Sequence, residues 1–164
     1  MNKKTIYIIV AVLVVVIVVG AAGVMLLNGN GGEPTPTPTP AVGVADATSL
    51  QFSVEDSSGN YTYAAKNIGT NITLRLEILG ADNFVYILNG TEQKAWSNVT
   101  GTWAEEQDFN ANWDMWIPVW QGYVDNLENW TGTGDYTYTA DGTSVKISDI
   151  SVNPTLADSL FATS

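Results

Sequence analysis

The chain contains no cysteine and no histidine, and each absence excludes a block of chemistry. Without thiols there are no disulfides, thiolate metal sites, cysteine nucleophiles or lipids attached through an N-terminal cysteine. Without imidazole, serine and cysteine triads lack their usual base and zinc sites lack a common ligand. Positive charge is also scarce: six Lys and Arg stand against 17 Asp and Glu in 164 residues. After Lys4 only Lys66, Arg75, Lys94 and Lys146 are cationic, so the chain beyond its N-terminal segment carries about −13. Phosphate backbones are bound by clustered Lys and Arg, so no nucleic acid partner is expected. The same field repels an anionic membrane surface and suits solubility in a salty or cation-rich setting.

What is present begins with an apolar run. Ile6 to Leu27 holds 22 residues without a charge, long enough to cross a hydrocarbon core of about 30 Å as a helix. Lys3 and Lys4 precede it, so the positive-inside bias places residues 1–5 in the cytoplasm and the rest outside. A cleaved signal peptide competes with this reading, because Gly20-Ala21-Ala22-Gly23 offers small residues to a peptidase. Val24 to Leu27 extends the run past that site, which favours a retained anchor. A pilin-type leader lacks the usual small residue before its cleavage point at Lys4-Thr5-Ile6. Residues 28–40 form a linker of glycines followed by Glu33-Pro-Thr-Pro-Thr-Pro-Thr-Pro40, an extended rod of about 25 Å at about 3.1 Å per residue. Its threonines suit O-linked sugars, as Thr/Pro stalks do. Localisation is therefore expected at the cell membrane, single-pass, with residues 41–164 extracytoplasmic.

In that domain, period-2 alternation dominates. Leu50, Phe52 and Val54 alternate with Gln51, Ser53 and Glu55, and Ile72, Leu74, Leu76 and Ile78 with Thr73, Arg75 and Glu77. These predict half-buried antiparallel strands. Further strands are expected at Tyr61 to Lys66, Phe84 to Leu88, Thr91 to Trp96, Tyr136 to Ala140 and Thr143 to Ile147. Asn89-Gly90 and Asp141-Gly142 suit two-residue hairpin turns. Seven strands then follow as a meander, five before and two after a helical segment.

That segment is expected over 104–130. Phe109, Trp113, Trp116, Trp120, Tyr123, Leu127 and Trp130 recur at spacings of four and three, the signature of one helical face. Thr102-Trp-Ala-Glu105 matches a capping box. Pro118 predicts a kink or two short helices. The fold class expected is α+β: a transmembrane helix, then an antiparallel meander packed on a tryptophan-rich helical insertion.

Candidate sites are few. Five Asn-x-Thr sequons, at Asn60, Asn71, Asn89, Asn98 and Asn129, exceed chance several-fold and point to N-glycosylation; turn-favouring Asn and Thr also suit such positions structurally. Trp96, Trp103, Trp113, Trp116, Trp120 and Tyr123 are either core or the lining of a pocket for an apolar ligand or sugar. Glu105, Glu106 and Asp108 suit the positive end of a helix dipole better than an acid/base pair. Asp135 and Asp141 offer oxygen ligands for calcium without the ordered spacing of an EF-hand loop. No catalytic residue, metal or cofactor is expected.

Asn71-Ile-Thr-Leu-Arg-Leu-Glu-Ile, Tyr86-Ile-Leu-Asn-Gly-Thr with Lys94-Ala-Trp96, and Val145-Lys-Ile-Ser-Asp-Ile-Ser-Val-Asn-Pro followed by Asp158-Ser-Leu-Phe161 resemble the LolA-like lipoprotein-carrier family. The resemblance extends over most of Ser49 to Phe161 and includes archaeal membrane-anchored relatives. It implies a curved half-barrel over helices, with an interior that accepts an acyl chain. Two features depart from the family: this chain carries its own apolar span, and it is shorter. The expectation is a non-enzymatic, membrane-anchored, glycosylated module binding a lipid or other amphipathic ligand. The alternative is a structural or filament-forming component of the cell envelope.

Overall fold

The structure is a computed structural model and describes residues 43–81 and 83–163. The expected membrane span, its orientation and the Pro-Thr linker lie outside the described residues. Among those described, no helix is long and apolar enough to cross a membrane.

The elements are β1 (Ser49–Asp56), β2 (Gly59–Lys66), β3 (Thr73–Leu79), β4 (Phe84–Asn89), β5 (Lys94–Ser97), β6 (Ala104–Glu105), α1 (Phe109–Leu127), β7 (Tyr136–Ala140) and β8 (Thr143–Val152). Short 3₁₀ turns stand at Val44–Asp46 and Asp158–Phe161. All strands join one antiparallel sheet in the order β6-β5-β4-β3-β2-β1-β8-β7. The expected fold class is thereby corrected: the described residues form mostly an eight-stranded antiparallel sheet with one α-helix. The meander holds for β1 to β6 only. After α1 the chain returns to the far side of β1, and β8 rather than β7 pairs with it.

The helical expectation over 104–130 also shortens. Ala104–Glu105 pairs with β5 as a strand, so the Thr102–Glu105 box caps nothing. Asp108 is the cap instead, its carboxylate accepting from the Ala111 amide at 2.9 Å, which satisfies one of the orphan donors of the first turn. Pro118 neither splits nor ends α1. Proline removes the bond to the carbonyl of Asp114, and both residues are exposed, so water can satisfy that oxygen.

Alternation sorts the sheet into two faces. Phe52, Tyr63, Leu76, Tyr86 and Ser97 stand opposite one another in a row across β1 to β5. That face is covered by α1, which buries Trp116, Val119, Trp120, Tyr123, Val124 and Leu127. The hydrophobic core lies between them. The opposite face carries the row Ala64, Arg75, Ile87, Trp96 and Glu105. Ala64, Val85 and Ile87 are buried there although they stand outside the main core. The C-terminal turn packs on this face against β3. Lys66 holds it, donating to Asp158 at 2.6 Å and lying 4.5 Å from the Phe161 ring centroid.

One irregularity shapes the region described next. Gln51 and Ser53 face Ser151 and Ser148, so β8 carries one extra residue there. Asp149 takes φ 54 within it. This bulge moves the core-facing positions of β8 from Val145 and Ile147 to Ile150 and Val152.

Candidate functional site

The six aromatic residues expected to line one pocket are divided among four surroundings. Trp116, Trp120 and Tyr123 are 2–3% exposed and belong to the core. Trp116 packs on Tyr86 with ring centroids 5.1 Å apart, and Tyr123 on Tyr63 at 5.6 Å. Trp113 is half-buried at the N-terminal half of α1. A side chain at Gly90 would place its Cβ 2.8 Å from the Trp113 ring and 3.0 Å from the Ile72 carbonyl. Gly90 is thus required by close approach rather than by turn geometry. The expected two-residue turn at Asn89-Gly90 is in fact a four-residue loop, since Asn89 pairs with Lys94. Trp96 stands on the opposite face of the sheet, and Trp103 lies half-buried in the β5–β6 connection.

Two polar groups in the core are notable. The indole nitrogens of Trp116 and Trp120 are buried without a hydrogen-bond partner. Each such donor costs about 1–3 kcal/mol relative to a paired one. Four tyrosines, Tyr61, Tyr63, Tyr123 and Tyr138, instead gather near Asp56. Tyr123 donates to Asp56 at 3.1 Å, while the same carboxylate accepts from the Ser58 and Gly59 amides and so closes the β1–β2 turn. Burial, and then the Asp56 charge, push the Tyr61 and Tyr138 phenols up to about 12. Tyr63 and Tyr123 are raised further, burial again acting first. All four phenols are therefore neutral at physiological pH.

A cleft of about 330 Å³ opens elsewhere, where the segment after α1 passes the β8 bulge. Trp130, Gly132, Gly134, Asp135, Asp149 and Ile150 line it. The Trp130 indole is oriented by its own N–H, which donates to the Gly134 carbonyl at 3.0 Å. Gly132 and Gly134 sit at φ 90 and 70, a region open to glycine at little cost. Asp135 pairs with Lys146 at 2.8 Å. That pairing first, and the nearby Glu55 and Asp149 charges after it, raise the Lys146 ammonium above its ordinary value. Sequence reasoning singled out Trp130 and Asp135 separately. Their meeting with Asp149 depends on the bulge, for which the sequence carried no turn signal.

The acidic candidates serve local structure. Glu105 pairs with Lys94, and Glu106 accepts from the Ser97 hydroxyl. Asp135 and Asp141 lie at opposite ends of β7, about 20 Å apart at about 3.3 Å per residue, too far to share calcium. No group of three or more Asp and Glu side chains suited to a metal occurs among the described residues. Of the sequons, Asn60, Asn71 and Asn129 are exposed. Asn89 accepts from the Thr91 and Glu92 amides, and Asn98 from the Val85 amide at 2.6 Å. Compared with protein-family models, curated proteins and solved structures, the chain matches none.

Proposed function

We propose that this chain is a membrane-tethered, extracytoplasmic module of the cell envelope that acts through its outer surface, its interior being a core rather than a carrier cavity. The tether is the apolar run 6–27, and the Pro-Thr rod sets the domain off from the headgroups. Glycosylation is proposed at the exposed sequons Asn60, Asn71 and Asn129. The observation that supports a structural role is the occupancy of the helix–sheet layer by Trp116, Trp120, Tyr123 and Leu127, all 0–3% exposed. Rings packed at about 5 Å leave their volume to the protein itself. No catalytic step is proposed.

A second reading, an amphipathic ligand held between α1 and the sheet, is favoured by one observation. The unpartnered Trp116 and Trp120 indole N–H groups would gain an acceptor if a ligand carbonyl or carboxylate entered. The LolA-like resemblance belongs to this reading.

The experiment that separates them starts from protein made in its native membranes, with the domain released by proteolysis in the linker. Native mass spectrometry is expected to show the polypeptide with covalent glycans only. A stoichiometric, noncovalent lipid adduct would overturn the structural reading in favour of the second.

A further inference from the structure

We propose that the cleft beside the β8 bulge binds an alkylammonium group, of the kind carried by a polyamine or a lysine side chain. The cleft brings one aromatic residue, Trp130, together with two carboxylate residues, Asp135 and Asp149, in its lining. Indole is the most attractive aromatic surface for a cation, and the bond from its N–H to Gly134 holds it in place. Asp149 has no ion-pair partner among the described residues. Asp135 has only Lys146, in a pair whose side chains are about half exposed; such pairs contribute little and exchange readily.

Charge decides the ligand class. All four cations of the described residues are already paired, with Asp158, Glu77, Glu105 and Asp135, while fifteen carboxylates are present there. The field therefore gathers cations and repels anions. A neutral sugar could lie on Trp130 but would gain nothing from that field. A methylene chain ending in ammonium matches both parts of the cleft: its stem lies against Trp130 and Ile150, and its head reaches the carboxylates. Lys146 already supplies one such head to Asp135, so a ligand amine would compete with it. The proposal is independent of whether the helix–sheet interior takes a ligand.

The test uses the intact chain in phosphatidylcholine nanodiscs, with empty discs as the blank, and calorimetric titration at low salt. One arm titrates spermidine and the other an end-blocked Gly-Lys-Gly peptide. Saturable one-to-one binding is expected, weakened at least five-fold by Trp130→Leu or Asp149→Asn. Lys146→Gln is expected to tighten it at least two-fold by freeing Asp135. Glu92→Gln, which removes the same charge at the distant β4–β5 loop, is expected to change it less than two-fold. Asparagine tolerates the left-handed backbone of position 149, so this comparison stands even if Trp130→Leu misfolds. That ranking with either compound supports the site, and the tighter one identifies the source of the amine. No saturable binding, or equal losses from Asp149→Asn and Glu92→Gln, would overturn it.

Discussion

Trp116 and Trp120 inside the helix–sheet layer and Trp130 just beyond α1 are the same side chain put to opposite uses. The first two have their ring surface fully buried and their N–H groups unpaired. The third is half-buried, its N–H paired and its ring on an open cleft. The difference follows from where the helical face meets strands. Trp116 and Trp120 lie over the sheet, whereas the helix ends at Leu127, so Trp130 packs only against the margin of the core and stays half-buried. A hydrophobic period therefore marks which side chains face inward, while the end of the helix decides which of them become core.

The comparison can be broken most forcefully from inside. Trp116→Ala is expected to cost about 3–5 kcal/mol of stability, because the transferred surface is lost and a cavity is left. Chemical denaturation should show it, whereas Trp130→Ala should cost well under half as much. Equal losses would erase the distinction between the two regions.

Next in size is the Asp56 hub. Asp56→Ala removes the acceptor of Tyr123 and of two turn amides, with an expected loss of about 1–3 kcal/mol. The same hub predicts a pH dependence. Tyrosine ionises near 10 when unfolded, and these phenols are raised when folded, Tyr61 and Tyr138 to about 12. Their contribution is fully present below about pH 10 and is lost as pH rises toward and through the folded values. Phenolate absorbance should therefore rise for these residues only near pH 12 or together with loss of circular dichroism. Ionisation of all four near pH 10 in a still-folded chain would contradict the burial assigned to them.

The smallest effect sharpens the start of α1. Asp108→Ala should cost about 1 kcal/mol through loss of the cap. Thr102→Ala, in the sequence-predicted capping box, should cost less than half of that by thermal or chemical unfolding.

Much of this was legible in the sequence, for identifiable reasons. Strands β1 and β3 follow from strict alternation such as Leu50, Phe52, Val54, and β4 from the apolar run Phe84 to Leu88. The buried face of α1 follows from the four-three spacing of its aromatic residues. The Asp141-Gly142 turn adopts φ 48 and 78, the positive values that such a hairpin needs. Tertiary contacts overrode the rest. Ala104 and Glu105 are helix-compatible, but the open edge of β5 takes them as a strand. Asn89-Gly90 looked like a tight turn, but Trp113 sets the need for glycine. Trp96 shares composition with the helical tryptophans and yet faces away from them, because face depends on register and not on residue type. The cleft was the least visible feature, being assembled from a bulge, two glycines and a chain reversal.

The most direct test of the closed interior is ¹⁹F NMR of the intact chain in phosphatidylcholine nanodiscs, with 5-fluorotryptophan at all six tryptophans and each resonance assigned by substitution. Trp116 and Trp120 are predicted to show no H₂O/D₂O solvent shift and no response to added myristate, while Trp130 shows a clear solvent shift. Saturable movement of the Trp116 and Trp120 resonances with myristate would contradict a self-filled core and establish a ligand site in its place.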